Sequence, residues 1–212
     1  MEVVAAFAQS LPRNLTSDQV RRVVGKKSRF ASELKRIFGE RAGECSELLA
    51  GWQDFYRELG IQIDLGTLRI PEKREGFECL IVMAEGLTPM SIWKLIKARM
   101  PAWKHWDNLD EITSDRDPKH GTYALWVRDR QEADEELKNL SANKLKAQGI
   151  TTETLPERLI HELKYCKETG KHLDISNWTL CAGSRDPGGR VPGVGWGGGR
   201  LFVRWDAPGY RG

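Results

Sequence analysis

Apolar and polar positions alternate with a helical period at the start of the chain and with a β period at its end. Thr16 and Gln19 have the spacing of a capping box. Beyond them Val20, Val23, Val24, Phe30, Ala31, Leu34, Ile37 and Phe38 fall on one side of a 3.6-residue wheel, and Arg21, Arg22, Lys26, Arg29 and Arg36 fall on the other. Gly25 and the misplaced Lys27 predict a break near 25–28, giving two short helices. A further amphipathic helix is predicted over 44–59, burying Leu48, Leu49, Trp52, Phe55 and Tyr56.

A charged loop over 71–76 precedes the nearly continuous apolar run 77–84, which suits a strand covered on both faces. Thr88 and Pro89 are cap and first-turn signals for a helix reaching about Met100, where Pro101 ends it. Residues 121–128 read as a second strand and 131–140 as a charged helix, extended by 142–148 to Gly149. Thr154, Pro156 and Glu157 open another helix, with Leu159, Ile160, Leu163, Tyr165 and Cys166 inward and Gly170 as its stop. Strands are predicted over 178–182, 190–196 and 200–205, the last two joined at Gly198-Gly199 as a two-residue hairpin. The expected fold class is α+β. A helical N-terminal region (1–70) precedes a mixed sheet domain with flanking helices and a C-terminal β-hairpin (71–206), then a flexible tail (207–212).

Composition narrows the class. Across 212 residues, 40% are hydrophobic and 30% charged, with mean hydropathy −0.52 and formal charge +3. Such a balance fits a soluble globular protein. No run approaches the ~18 apolar residues of a membrane span. The N-terminus has an apolar stretch and an Ala-Phe-Ala triplet, but Glu2 stands where a signal peptide is basic and the run is too short. Cys45, Cys79, Cys166 and Cys181 are widely spaced and read as reduced thiols. The expected location is the cytoplasm.

Several familiar chemistries fail at the level of spacing. Gly193, Gly195 and Gly198 match a dinucleotide fingerprint as text, yet they lead into the β-rich segment 201–205 and not into a helix, so they read as a glycine-rich hairpin. There is no Gly-x4-Gly-Lys-Ser/Thr loop. Cys181 and Arg185 are too close to form a phosphatase loop, and Cys181 reads as a buried cysteine before a turn. His105, His120, His161 and His172 show no recognised zinc spacing.

Three features carry candidate function. Acidic residues crowd 107–136; Asp129 ends a predicted strand, and Glu132 and Glu136 would share a helix face, a set able to hold Mg²⁺ for phosphoester hydrolysis. A solvated helix start explains the same charges. Residues 13–41 carry nine Lys/Arg against three acids, so Arg21, Arg22, Lys26 and Arg29 could follow a phosphate backbone, or simply face solvent. Eight tryptophans are present, and Trp93, Trp103 and Trp106 interleave with Lys94, Lys97, Arg99, Lys104 and His105. Aromatic rings among cations suit stacked single-stranded bases, and equally a core with amphipathic rims.

The segments Leu87-Thr88-Pro89, Ser114-Asp115-Arg116-Asp117, 121–130, 132–143, Glu162-Leu163-Lys164-Tyr165, 169–174 and 179–185 together resemble a family of short hypothetical proteins from uncultured environmental bacteria. The resemblance spans nearly the whole chain and implies no activity, ligand or fold.

The leading expectation is a nucleic-acid-associated binding protein, contacting DNA or RNA through Arg21, Arg22, Lys26, Arg29, Trp93, Trp103, Lys104 and Trp106, with no cofactor and no membrane. The alternatives are a Mg²⁺-dependent phosphoester hydrolase using Asp129, Glu132 and Glu136, and a protein-partner module without chemistry, its tryptophans forming an exposed apolar patch.

Overall fold

The structure, a computed structural model, describes residues 45–66 and 68–210. The predicted helix pair over 16–38 lies outside the described residues. By its contacts the chain divides into Met1–Ala50 and Gly51–Gly212, and the account below concerns the second unit. No helix among the described residues is long and apolar enough to cross a membrane.

Helix α1 spans 45–58. Its Trp52, Phe55 and Tyr56 are buried, and they reach strand β1 (Cys79–Met83) by more than packing. Trp52 Nε1 donates to the Leu80 carbonyl at 3.0 Å and the Tyr56 hydroxyl to the Val82 carbonyl at 2.6 Å. One helical turn separates the two donors, ~6 Å along the axis. Two strand residues separate the two acceptors, ~6.6 Å. The helix therefore supplies donors to the edge of β1 that no strand covers, which satisfies carbonyls and blocks foreign pairing.

On its other edge β1 pairs antiparallel with β4 (Tyr123–Val127), Cys79 opposite Val127 and Met83 opposite Tyr123. The apolar run 80–84 is buried throughout, as a strand with helices against it requires. Helix α2 (Pro89–Lys97) starts at Thr88, whose side chain accepts from Ser91 N while the Ser91 hydroxyl accepts from Thr88 N, and Pro89 occupies the first turn. The core lies where α2 and β1 meet the later helix α4, around Ile81, Ile92, Ile96, Leu155, Leu159 and Ile160.

Pro101 ends the α2 region and leads into a short strand, β2 (Ala102–Lys104), that the sequence pattern does not announce. A two-residue strand, β3 (Thr113–Ser114), follows. After β4 the predicted helix over 131–140 is absent: only a 3-10 turn forms, at Glu135–Leu137. The cause is that its acidic side chains are engaged elsewhere, one at long range and two with the arginines just before them. Glu132 accepts from the amides of Ser176 and Asn177, Asp134 binds Arg128 and Glu136 binds Arg130, and together these hold the segment as a loop. Helix α3 (Ala142–Ala147) is separate and is capped by Ser141. Helix α4 (Leu155–Thr169) has Pro156 in its first turn and ends on Gly170 at φ 67°.

Strand β5 is shorter than expected, Thr179–Leu180, because the chain turns at once: Ser184 N donates to the Cys181 carbonyl at 2.9 Å. A two-residue strand β6 (Ser184–Arg185) pairs with β3. Strands β7 (Val191–Gly197) and β8 (Arg200–Asp206) form the expected hairpin. Gly198 and Gly199 both have positive φ, 57° and 74°, as a two-residue turn matched to strand twist requires. The principal sheet runs β2-β8-β7-β5, with β2 parallel to β8 and the other pairs antiparallel. The fold is α+β with a mixed central sheet, flanking helices and a C-terminal hairpin.

Replacing Tyr56 with Phe keeps the ring and strands two buried polar groups, the Val82 carbonyl and the Ala84 N–H that donates to the hydroxyl. The expected cost is about 1–3 kcal/mol, read by urea denaturation with an unchanged denaturant slope.

Candidate functional site

The first half of α4 is unlike an ordinary surface helix: Glu157, Arg158, His161 and Glu162 are all buried. Each finds partners brought in by another segment. Arg116, from the loop after β3, forks onto both Glu157 oxygens at 2.6 and 2.7 Å and also donates to the Thr152 carbonyl. Tyr123 of β4 and the Thr154 amide complete the Glu157 shell at 2.8 and 2.7 Å. Burial and the neighbouring Glu157 carboxylate raise the Tyr123 pKa, so its hydroxyl remains a donor.

Arg158 donates to Asp174 from Nε and Nη2, at 3.1 and 2.8 Å, and to Glu162 from Nη1 at 3.0 Å. Burial alone would favour the neutral guanidine, but Asp174 and Glu162 more than offset it and hold Arg158 charged. Gly170 turns the chain back so that Asp174, itself at φ 54°, faces the helix. Glu162 also meets Nδ1 of His172 at 2.8 Å, and the His172 ring lies flat on Trp196 of β7 at 3.3 Å between centroids. The segment 172–174 is tied further by Gln131 Nε2 to the His172 carbonyl and by Trp196 N to the Asp174 carbonyl. One ionic cluster thus connects α4, the loop after β4 and the central sheet.

His161 has a distinct environment. Its Nδ1 is 3.1 Å from Glu153 Oε1, and its Nε2 is 3.9 Å from Cys79 Sγ at the start of β1. Burial opposes the imidazolium, yet Glu153 and Cys79 outweigh it and the pKa is raised to about 10. The Glu153 carboxyl, although mostly buried, is held below its ordinary value by His161, Arg158 and Arg116.

A cavity of about 900 Å³ opens beside this cluster, with Glu153, His161, Phe77, Arg128, Trp178 and Arg204 among the residues that line it. Trp178 and Arg204 belong to the outer face of the central sheet. The hairpin register sets Gly193, Gly195 and Gly197 opposite Arg204, Phe202 and Arg200, so one face carries glycine on β7 and large side chains on β8. A Cβ on Gly195 would stand 3.0 Å from Trp178 Cδ2, and one on Gly193 3.4 Å from Arg204 Cγ. The alternating glycines are the space in which those side chains lie. Trp103 of β2, opposite Phe202, extends the row: centroids are 5.9 Å apart for Trp103–Phe202 and 6.0 Å for Phe202–Trp178. Arg200 stands over Phe202 at 4.5 Å and Arg204 over Trp178 at 4.3 Å.

The sequence-selected residues are distributed as follows. Arg21, Arg22, Lys26 and Arg29 lie outside the described residues. Trp93 is 6% exposed and belongs to the core with Ile92 and Ile96, whereas Trp103 is 42% exposed on the sheet. Trp106 packs edge-on to Trp205 under Arg190, and Lys104 Nζ is bound by the carbonyls of Trp106 and Asp107. The interleaved cluster therefore separates into one core ring and two surface rings. Of the acidic set, Asp129 is exposed, Glu132 binds the 176–177 amides and Glu136 pairs with Arg130. Among the described residues no group of three His, Cys, Asp or Glu is placed to hold a metal ion. Cys181 is fully buried, and burial with nearby Glu153 raises its thiol pKa. Phe202, Trp178, Arg200 and Arg204 escaped the sequence reading, although the alternation of Gly193, Gly195 and Gly197 about a two-residue turn carries their register.

No family model, curated protein or solved structure matches the chain.

Removing Arg158 leaves Asp174 and Glu162 buried without their countercharge, so Arg158→Met is expected to cost about 3–5 kcal/mol in urea denaturation. A pH series tests the second pair. The folded His161 pKa, about 10, exceeds its ordinary 6.5, so its stabilisation is complete below 6.5 and declines as pH rises towards 10. The wild type is therefore expected to lose unfolding free energy over that window relative to His161→Gln.

Proposed function

We propose that this protein binds single-stranded nucleic acid on the outer face of its β2-β8-β7-β5 sheet, as a cytoplasmic binding protein. The observation that supports this reading is the row Trp103–Phe202–Trp178, edged by the exposed Arg200, the half-buried Arg204 and the exposed His105. A flat sheet with aromatic rings in sequence offers stacking surface to successive bases irrespective of their identity, and adjacent cations meet the phosphates. The face is fixed before any ligand arrives, because strand pairing sets the ring positions.

The Arg side chains that cover two of the rings are part of the device. An exposed cation–π contact contributes only about 0.5–1 kcal/mol, whereas a base stacked on an aromatic ring contributes about 1–3 kcal/mol. A base can therefore displace Arg200 from Phe202, and the freed guanidinium is then positioned for a phosphate. With a net charge of only +3, affinity must come from this local arrangement and from the basic segment 13–41, not from the overall field. In this reading the sheet takes the role that sequence analysis gave to the 93–106 tryptophans, with Trp103 common to both.

The test is titration of the full chain with oligothymidylate and oligouridylate, followed by tryptophan fluorescence at several salt concentrations. Binding is expected to weaken by about 0.7 logarithmic units per phosphate neutralised for each tenfold rise in salt. Trp103→Ala should weaken it by about 1–3 kcal/mol, and Arg204→Ala should lower the salt slope by about one contact. Absence of binding at low salt, or a Trp103→Ala protein that binds like the wild type, contradicts the proposal.

A further inference from the structure

We propose that Cys79, His161 and Glu153 form a nucleophilic acyl-transfer site that hydrolyses activated esters or thioesters carrying an anionic group. The inference does not rest on the nucleic-acid reading and uses none of its residues.

The geometry has the order that such chemistry requires. One imidazole nitrogen of His161, Nε2, faces the sulfur at 3.9 Å, and the other, Nδ1, faces a carboxylate oxygen at 3.1 Å. The His161 imidazolium donates from Nδ1 to Glu153, which fixes the ring, and directs Nε2 at the sulfur; nucleophile, proton carrier and orienting carboxylate are thus aligned. A separation of 3.9 Å is the loose contact common before substrate binds. The three groups come from distant segments: β1, the N-terminal half of α4 and the loop before it. Strand pairing with β4 fixes Cys79, and helix burial fixes His161, so neither depends on a mobile loop. Cys79 is half-buried and His161 is buried. His161 and Glu153 line the 900 Å³ cavity, which is large enough for a small acyl substrate.

Substrate charge follows from the residues that lead into β1 and from their neighbours. Phe77, two residues before Cys79, lies between two guanidinium groups, Arg74 at 5.2 Å and Arg128 at 4.6 Å, and all three line the same cavity. An acyl group with a carboxylate or phosphate on its far end would place that charge beside Arg74 and beside Arg128, whose Nε is shared with Asp134.

The reaction balances with water as the only co-reactant. In the reacting form the proton of the Cys79 sulfur already resides on His161 Nε2, and the sulfur adds to the carbonyl carbon. The carbon–oxygen bond to the alcohol (or carbon–sulfur bond to the leaving thiol) breaks, and the leaving group takes the proton from Nε2. Water then adds to the Cys79 thioester, giving one proton to Nε2; the acyl–sulfur bond breaks, the acid departs and the sulfur again faces the protonated Nε2. Cys79 and His161 are the catalytic residues, and Glu153 is a positioning residue.

The probes are p-nitrophenyl acetate and the mono-p-nitrophenyl ester of succinate, with nitrophenol release followed optically and acylated cysteines identified by peptide mass. In the wild-type protein Cys79 should acylate at least about tenfold faster than Cys166, a partly exposed thiol with a raised pKa. The succinyl ester should react faster than the acetyl ester. His161→Gln should slow Cys79 acylation by about a hundredfold or more, with Cys166 unaffected. Glu153→Gln should slow it less, Glu153→Asp should restore part of the rate, and both should leave Cys166 unchanged, whereas a loosened fold would raise both thiols together. The site is overturned if Cys79 reacts no faster than Cys166 in the wild type, a comparison needing no variant, or if His161→Gln acylates at the wild-type rate. Equal rates for the two esters overturn the assignment of an anionic substrate.

Discussion

Arg158 sits between Asp174 and Glu162 with almost no water around it, and the rest of the second unit is arranged about that contact. A buried guanidinium between carboxylates gains little net stability over an apolar filling of the same shape. What it contributes is geometry. Arg158 can be satisfied only if α4 is in place, if Gly170 has turned the chain, and if 172–174 is seated on Gln131 and Trp196. The same helix carries Glu157 to Arg116 and His161 to Glu153. An error in any one segment leaves a charge stranded, so the cluster selects one arrangement of helix, loop and sheet against its neighbours in conformation.

The candidate sheet surface is a consequence of that arrangement. The outer sheet face exists because α4 and the segment 171–174 take the inner one, with His172 stacked on Trp196. Gly193, Gly195 and Gly197 then face outward beneath Trp178, Phe202 and Arg204. The inner side chains of β8, Leu201 and Val203, are buried, whereas Arg200, Phe202 and Arg204 keep surface exposed.

Elements specified by neighbouring residues were legible in the chain, and those specified by distant ones were not. Thr88-Pro89, Gly170 and Gly198-Gly199 act within four or five residues, and each marks the cap or turn expected of it. The loop over 131–140 looks helical because its acids favour a helix start, but Glu132 is held by amides 44 and 45 residues away. Strand β2 pairs with β8 across more than twice that gulf in sequence, Trp103 opposite Phe202, and three residues carry too little periodicity to announce it. Trp93 shows why interleaved aromatics and cations mislead: an amphipathic helix places Ile92, Trp93 and Ile96 inward and Lys94 and Lys97 outward, so adjacency in sequence becomes opposition in space. The hairpin face was within reach of counting from its turn, while Cys79 and His161, 82 residues apart, were not.

Native-state hydrogen exchange, residue by residue, addresses the organising role of the ionic cluster most directly. The Thr154, Leu173 and Asp174 amides donate to Glu157, Glu162 and the Gln131 carbonyl. If the cluster holds helix, loop and sheet together, these amides exchange only through global unfolding, with the same free energy as the amides of β1 and the middle of α4. Exchange of the 173–174 amides through a local opening of much lower free energy, with β1 and α4 still protected, would contradict the account.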